Sequence, residues 1–182
     1  MKRLARAAIV TTMRDAVSER GSWSGETHLQ KALYILQEGA GVPLGYNFIL
    51  YKHGPFSFDL RSEITEFRGD GLLELQPQGY PYGPRLNTTD AGHRLQTKFP
   101  KTLTRYSDVI SEVADLVGSK GVAELERIGT ALLMLKSEQG LTDEAAAQKI
   151  VDVKPHVSET DALEAVRMMR DFLRGLEEGA PA

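Results

Sequence analysis

The chain has 182 residues, 41% of them apolar and 26% charged, with a formal charge of −3. That is the composition of a soluble globular protein of about one domain, and it excludes a disordered or fibrous chain and a globally basic one. With no cysteine, disulfides, thiolate zinc sites and cysteine nucleophiles are excluded as well, and a cytoplasmic location is expected.

The N-terminus opens with Lys2, Arg3 and Arg6, but its apolar run from Ala7 to Val10 is too short for a signal peptide. Nothing in the sequence approaches the roughly 20 apolar residues of a membrane span. Leu4 to Glu19 instead predicts an amphipathic helix with Ile9, Met13 and Val17 on one stripe, ended by Arg20-Gly21. Thr27 to Gln30 has the form of a capping box, and Leu29, Leu33 and Leu36 mark the buried face of a second helix that stops at Gly39. Tyr46 to Lys52 predicts a short strand, which Gly54-Pro55 is expected to break. Ser57 is a good N-cap with Asp59 in the first turn of a third helix, whose buried stripe is Leu60, Ile64 and Phe67. Phe56 or Phe58 is expected to anchor the preceding turn in the core.

Residues 72–76 and 85–87 predict the arms of a hairpin around a turn-rich 77–84, and Thr88-Thr89-Asp90 caps a short helix to about Lys98. From Pro100 onward the pattern is helical. One segment covers 103–117 and another carries Val122, Leu125, Ile128, Leu132 and Leu135. A third opens at Thr142, and a last one, capped at Ser158, carries Leu163, Val166, Met169 and Leu173. The order predicts an α+β, mainly helical protein. A winged helix-turn-helix-like domain would fill residues 1–99, a helical extension 100–178 would pack on it, and 179–182 would be a frayed tail.

LQKALYILQ at 29–37, GYNFILYKHGPFSFDLRSEI at 45–64 and GDGLLE at 69–74 resemble the YwgA-like family of uncharacterised bacterial proteins. More distantly they resemble the SocA/Panacea antitoxin domain. ELERIGTALLMLK and VDVKPHVSETDALEA extend the resemblance to the C-terminal half, and RLNTTDAGHRL resembles the end of a wing and the helix after it. The resemblance implies a winged-helix-like fold and a non-catalytic role, either DNA binding or neutralising a toxin.

The residues supply no competing chemistry. GSWSG at 21–25 has tryptophan where a nucleophile elbow needs serine. His28, His53, His93 and His156 stand singly, without metal-ligand spacing, and no phosphate-cradling glycine loop follows a strand. Glu63 and Glu66 are expected on the solvated side of the third helix. No metal and no cofactor is expected.

Residues 57–88 carry Arg61, Arg68 and Arg85 against five acids, net −2, which is unfavourable for gripping DNA. Positive charge gathers instead in the first twenty residues, net +3, and in Arg94, Lys98, Lys101 and Arg105. The reading is a non-enzymatic regulatory module of antitoxin or accessory type that occludes a protein partner, a toxin or an effector. Its expected contact surface is Arg61, Glu63, Thr65, Arg68 and Arg85 with the wing tyrosines Tyr80 and Tyr82. The alternative is a DNA-binding transcription regulator that dimerises through its C-terminal helices.

Overall fold

The Ile9, Met13 and Val17 stripe is fully buried on α1 (Arg3–Glu19), and the computed structural model describes residues 1–22, 24–79 and 83–179 around it. The expected element order holds apart from an added strand, β2: α2 (Glu26–Tyr34), β1 (Ile49–Tyr51), β2 (Gly54–Phe56), α3 (Phe58–Gly69), β3 (Leu73–Gln76), β4 (Arg85–Thr88) and α4 (Asp90–Thr97). Four helices follow: α5 (Pro100–Val117), α6 (Val122–Ser137), α7 (Asp143–Val153) and α8 (Glu159–Gly179). The protein is α+β and mainly helical, with two small antiparallel sheets, β1–β2 and β3–β4. Among the described residues no helix is long and apolar enough to cross a membrane.

Apolar side chains from Ala7 to Met169 form one continuous core. Helix α5 packs on α1, α6 on α2, and α7 and α8 on α6. Local capping follows the sequence at four starts, one of them α8, where Ser158 accepts from the Asp161 amide (3.1 Å). At the other three, Ser57, Thr89 and Thr142 each accept a backbone N–H three residues on, satisfying a donor the helix leaves open.

The capping box at Thr27 does not form. The helix starts two residues earlier, with Gly25 at its N-cap, and Gln30 is used elsewhere. Its side chain donates to the Ser57 carbonyl (2.9 Å) and accepts from the Ser57 amide (3.0 Å), which ties α2 to the start of α3. Past Tyr34 the helix widens into a π-helical turn, Ile35–Gly39.

The larger correction concerns residues 46–56. Regular strand covers only Ile49–Tyr51, and Gly54-Pro55-Phe56 does not end it but forms its antiparallel partner across a two-residue turn. Gly54 makes this feasible with φ +80, a conformation other residues rarely adopt. Pro55 lies opposite Leu50 and its carbonyl accepts from Lys31 (2.7 Å), away from β1. Proline is tolerated there because the adjoining ladder does not call on its missing N–H.

Candidate functional site

The hairpin β1–β2 and the first turn of α3 carry an aromatic cluster on the surface. Tyr51, Phe56 and Phe58 lie with ring centroids 5.1 to 5.6 Å apart, Phe58 edge-on to both others. Tyr51 is 51% and Phe58 48% exposed, and Ile49 and Leu50 beside them are also exposed. The Arg61 guanidinium sits over the Phe56 ring at 5.8 Å. Thus Phe56 and Phe58 do not anchor the turn in the core. Phe58 is the first residue of α3, and its partners are the other rings rather than the interior.

Beneath the hairpin lies a buried ionic anchor. Gly129 on α6 allows Pro55 to lie flat on the helix: a β-carbon there would come within 3.2 Å of the proline ring. One turn earlier Glu126, only 6% exposed, holds its Oε1 2.9 Å from the Lys154 ammonium. Lys154 directs its hydrogen bonds to the Tyr51 and Lys52 carbonyls (3.0 and 2.6 Å), so the Glu126 contact is an ion pair without an aligned hydrogen bond. His53 and His156, both exposed, stand 3.7 and 3.5 Å from the same carboxylate.

Lys31 completes the anchor from α2 at 1% exposure. Burial pushes its ammonium down to about 8, against a partial opposing pull from Glu126 and a push in the same direction from Lys154. The folded state therefore releases this proton near pH 8, whereas the unfolded chain holds it to about 10.5. Between those values the unfolded state binds more protons, so stability rises with pH. We expect wild-type protein to gain about 1 to 3 kcal/mol between pH 8 and 10.5 relative to Lys31→Met. Urea unfolding of both proteins at intervals across that window measures it, and parallel curves would refute the assignment.

The residues expected to contact a partner divide sharply. Arg61, Thr65 and Arg68 are exposed on α3, with Arg61 3.4 Å from Glu26. Glu63 is not on the solvated side as expected. It is 7% exposed and accepts from Arg6 (2.5 and 2.7 Å) and from the Tyr46 hydroxyl (2.5 Å). The Glu63 hydrogen bond holds the Arg6 guanidinium above its ordinary value. Burial, aided by the same carboxylate, pushes the Tyr46 phenol up and keeps it neutral. Arg85 donates to the Ser18 hydroxyl (2.6 Å) and is half-buried against α1. Tyr80 and Tyr82 lie outside the described residues, as does the tail 180–182.

The N-terminal positive charge is also resolved. Arg3 pairs with Glu66 and Asp70 of α3, Arg6 with Glu63, and Arg20 with Asp115. Arg14 is buried and donates to the Leu86 carbonyl and the Asn87 side chain. Of the N-terminal cations, Arg3 and Arg6 are thus neutralised by three of the five acids counted over residues 57–88, and Arg20 by an acid of α5. What sequence reasoning missed is the set Lys31, Glu126 and Lys154. Lys31 alone carried a signal, a single charge between the apolar positions Leu29 and Leu33 of its helix; Glu126 stands among other charges in ELER and Lys154 follows the end of α7, so neither differs in sequence from a solvated residue.

Among the described residues no three His, Asp or Glu side chains gather as a metal site. No protein-family model matches the chain, and no curated protein sequence matches it.

Proposed function

We propose that this chain is a non-enzymatic regulatory binding module of antitoxin or accessory type, and that it occludes a protein partner with the aromatic hairpin. The observation that carries the reading is the exposed ring cluster of Tyr51 and Phe58 around Phe56, with Ile49 exposed on the same face of the strand, mounted on a hairpin that the Lys31, Glu126 and Lys154 anchor fixes from below. Aromatic residues on a rigid support contribute contact area at low entropic cost, and contiguous apolar surface of this kind marks interaction sites. The rim carries Lys52, without an ion pair among the described residues, together with His53 and Arg61. The partner surface it fits is an apolar centre with an acidic border. The order α1, α2, α3, β3–β4 hairpin supports a winged-helix arrangement in which α3 takes the place of the recognition helix, consistent with the resemblance to YwgA-like and SocA/Panacea proteins.

The test is a partner captured at native expression, identified, then reconstituted from purified components. Tyr51→Ser with Phe58→Ser is expected to weaken its binding at least about 30-fold, the loss typical of central aromatic contacts, with the melting temperature unchanged. Undiminished binding by the double variant would overturn this reading.

A second reading, DNA binding, is favoured by one observation. Arg94, Lys98, Lys101 and Arg105 are all exposed, and none pairs with an acid among the described residues. On that reading the strip at α4–α5, not α3, grips phosphates, and a C-terminal helical dimer doubles it. Salt-dependent retention of duplex DNA that is lost when these four become alanine would favour it over the protein partner.

A further inference from the structure

A cleft of about 650 Å³ opens on the other flank of α3, between that helix, the β3–β4 hairpin, the first turn of α2 and the start of α6. Its volume lies within the range of sites that enclose small organic ligands. Ile64 and Leu86 line it as buried core residues, while Leu75 and Val122, 37% and 45% exposed, show their apolar side chains at the same opening. Val122 belongs to the apolar pattern of α6 yet does not enter the core, and the cleft is where that surface faces.

The charges around the cleft leave one cation over. Lys120 lies 3.5 Å from Glu124, and Glu26 lies 3.4 Å from Arg61. Burial lowers the ring of His28, in the wall, below the ordinary histidine value and favours its neutral form, and its Nε2 is 3.0 Å from the Lys120 carbonyl. Arg68, exposed at the mouth, has no ion pair or hydrogen bond from its guanidinium among the described residues. A guanidinium is the side chain best suited to grip a carboxylate through two parallel hydrogen bonds.

We propose that this cleft binds a small monocarboxylic acid with an apolar body, its carboxylate on Arg68 and its body against Ile64, Leu75, Leu86 and Val122. A single positive charge beside an apolar wall selects this class over dianions, which would leave one charge unpaired, and over neutral lipids, which would leave Arg68 unused. The site is separate from the aromatic hairpin, so the protein would be an interaction module with its own small-molecule input.

The probes are octanoate and phenylacetate, with octanol as the uncharged control, measured by calorimetry on the full chain. Trp23, the chain's one tryptophan, stands in sequence between the cleft residues Gly21 and Gly25, and its fluorescence gives a second readout. Saturable binding of at least one acid is expected, at least about tenfold tighter than octanol, with Arg68→Gln erasing that preference and leaving the melting temperature unchanged. Leu86→Gln would test the wall but risks the fold, whereas Val122→Gln changes an exposed position and is expected to weaken the acid severalfold. Failure of both acids to saturate, equal binding of octanol, or an unchanged preference in Arg68→Gln would each overturn the proposal. None of these outcomes alters the partner binding of the Tyr51 and Phe58 variant, so the two readings fail independently.

Discussion

Glu126→Ala is expected to lower folding stability by about 3 to 5 kcal/mol, the loss seen when one member of a buried ion pair is removed. The carboxylate is 6% exposed, and two buried ammonium groups, Lys154 and Lys31, stay behind when it goes. Water cannot reach either readily, and Lys31 is already pushed down to about 8 by burial with Glu126 in place. Loss of the one carboxylate therefore leaves positive charge uncompensated beside the hairpin, and β1–β2 loses its seat on α6. Urea unfolding measures the loss, and a Glu126→Ala, Lys154→Met double variant should recover part of it, because the stranded charge is then removed with its partner. A loss under about 1 kcal/mol in the single variant would mean that the hairpin rests on Gly129 and Pro55 packing alone.

Glu63→Ala should cost about 3 kcal/mol, and Glu63→Gln roughly half of that. The alanine variant strands two donors at once: the half-buried Arg6 guanidinium and the Tyr46 hydroxyl, which is 5% exposed. Glutamine keeps an acceptor for Tyr46 but not the charge that Arg6 needs. The same network joins α1, the loop before β1 and α3, since Arg6 also donates to the Leu44 carbonyl (3.2 Å). Loss of Glu63 is therefore expected to loosen α3 from α1, which hydrogen exchange at the α3 amides would detect ahead of global unfolding. Equal stability of the alanine and glutamine variants would show that the Arg6 charge is satisfied by solvent.

These two carboxylates mark where the sequence stopped being readable. Helix existence and order were legible because apolar spacing at 3.6 residues and hydroxyl caps are local properties. Ile9, Met13 and Val17 on α1, or Ser57 ahead of α3, need no knowledge of neighbours. Glu63 was read onto the solvated side because a carboxylate in an amphipathic helix belongs there by default, and Arg6, 57 residues away, together with Tyr46, 17 residues away, reverses that default. Gly54-Pro55 reads as a terminator for the same reason. Its role as a strand depends on Leu50 across the ladder and on Lys31 and Gly129 from two helices.

The surface followed the same rule. Charge counted along the chain gave a net positive N-terminus and a net negative stretch over 57–88, and contact pairs Arg3 and Arg6 of the first with Glu63, Glu66 and Asp70 of the second. Tertiary structure also decided where apolar side chains were left outside. Phe58 and Tyr51 have the residue types of core anchors, yet they find one another at the surface because the β1–β2 hairpin turns its apolar side away from α6. By itself the sequence determined a cysteine-free, mainly helical α+β chain with every element but β2 in this order, since those follow from composition, periodicity and caps. Which charges are buried, which rings are exposed and where the cleft opens were decided only by packing between distant segments, because a group's environment is set by what folds against it.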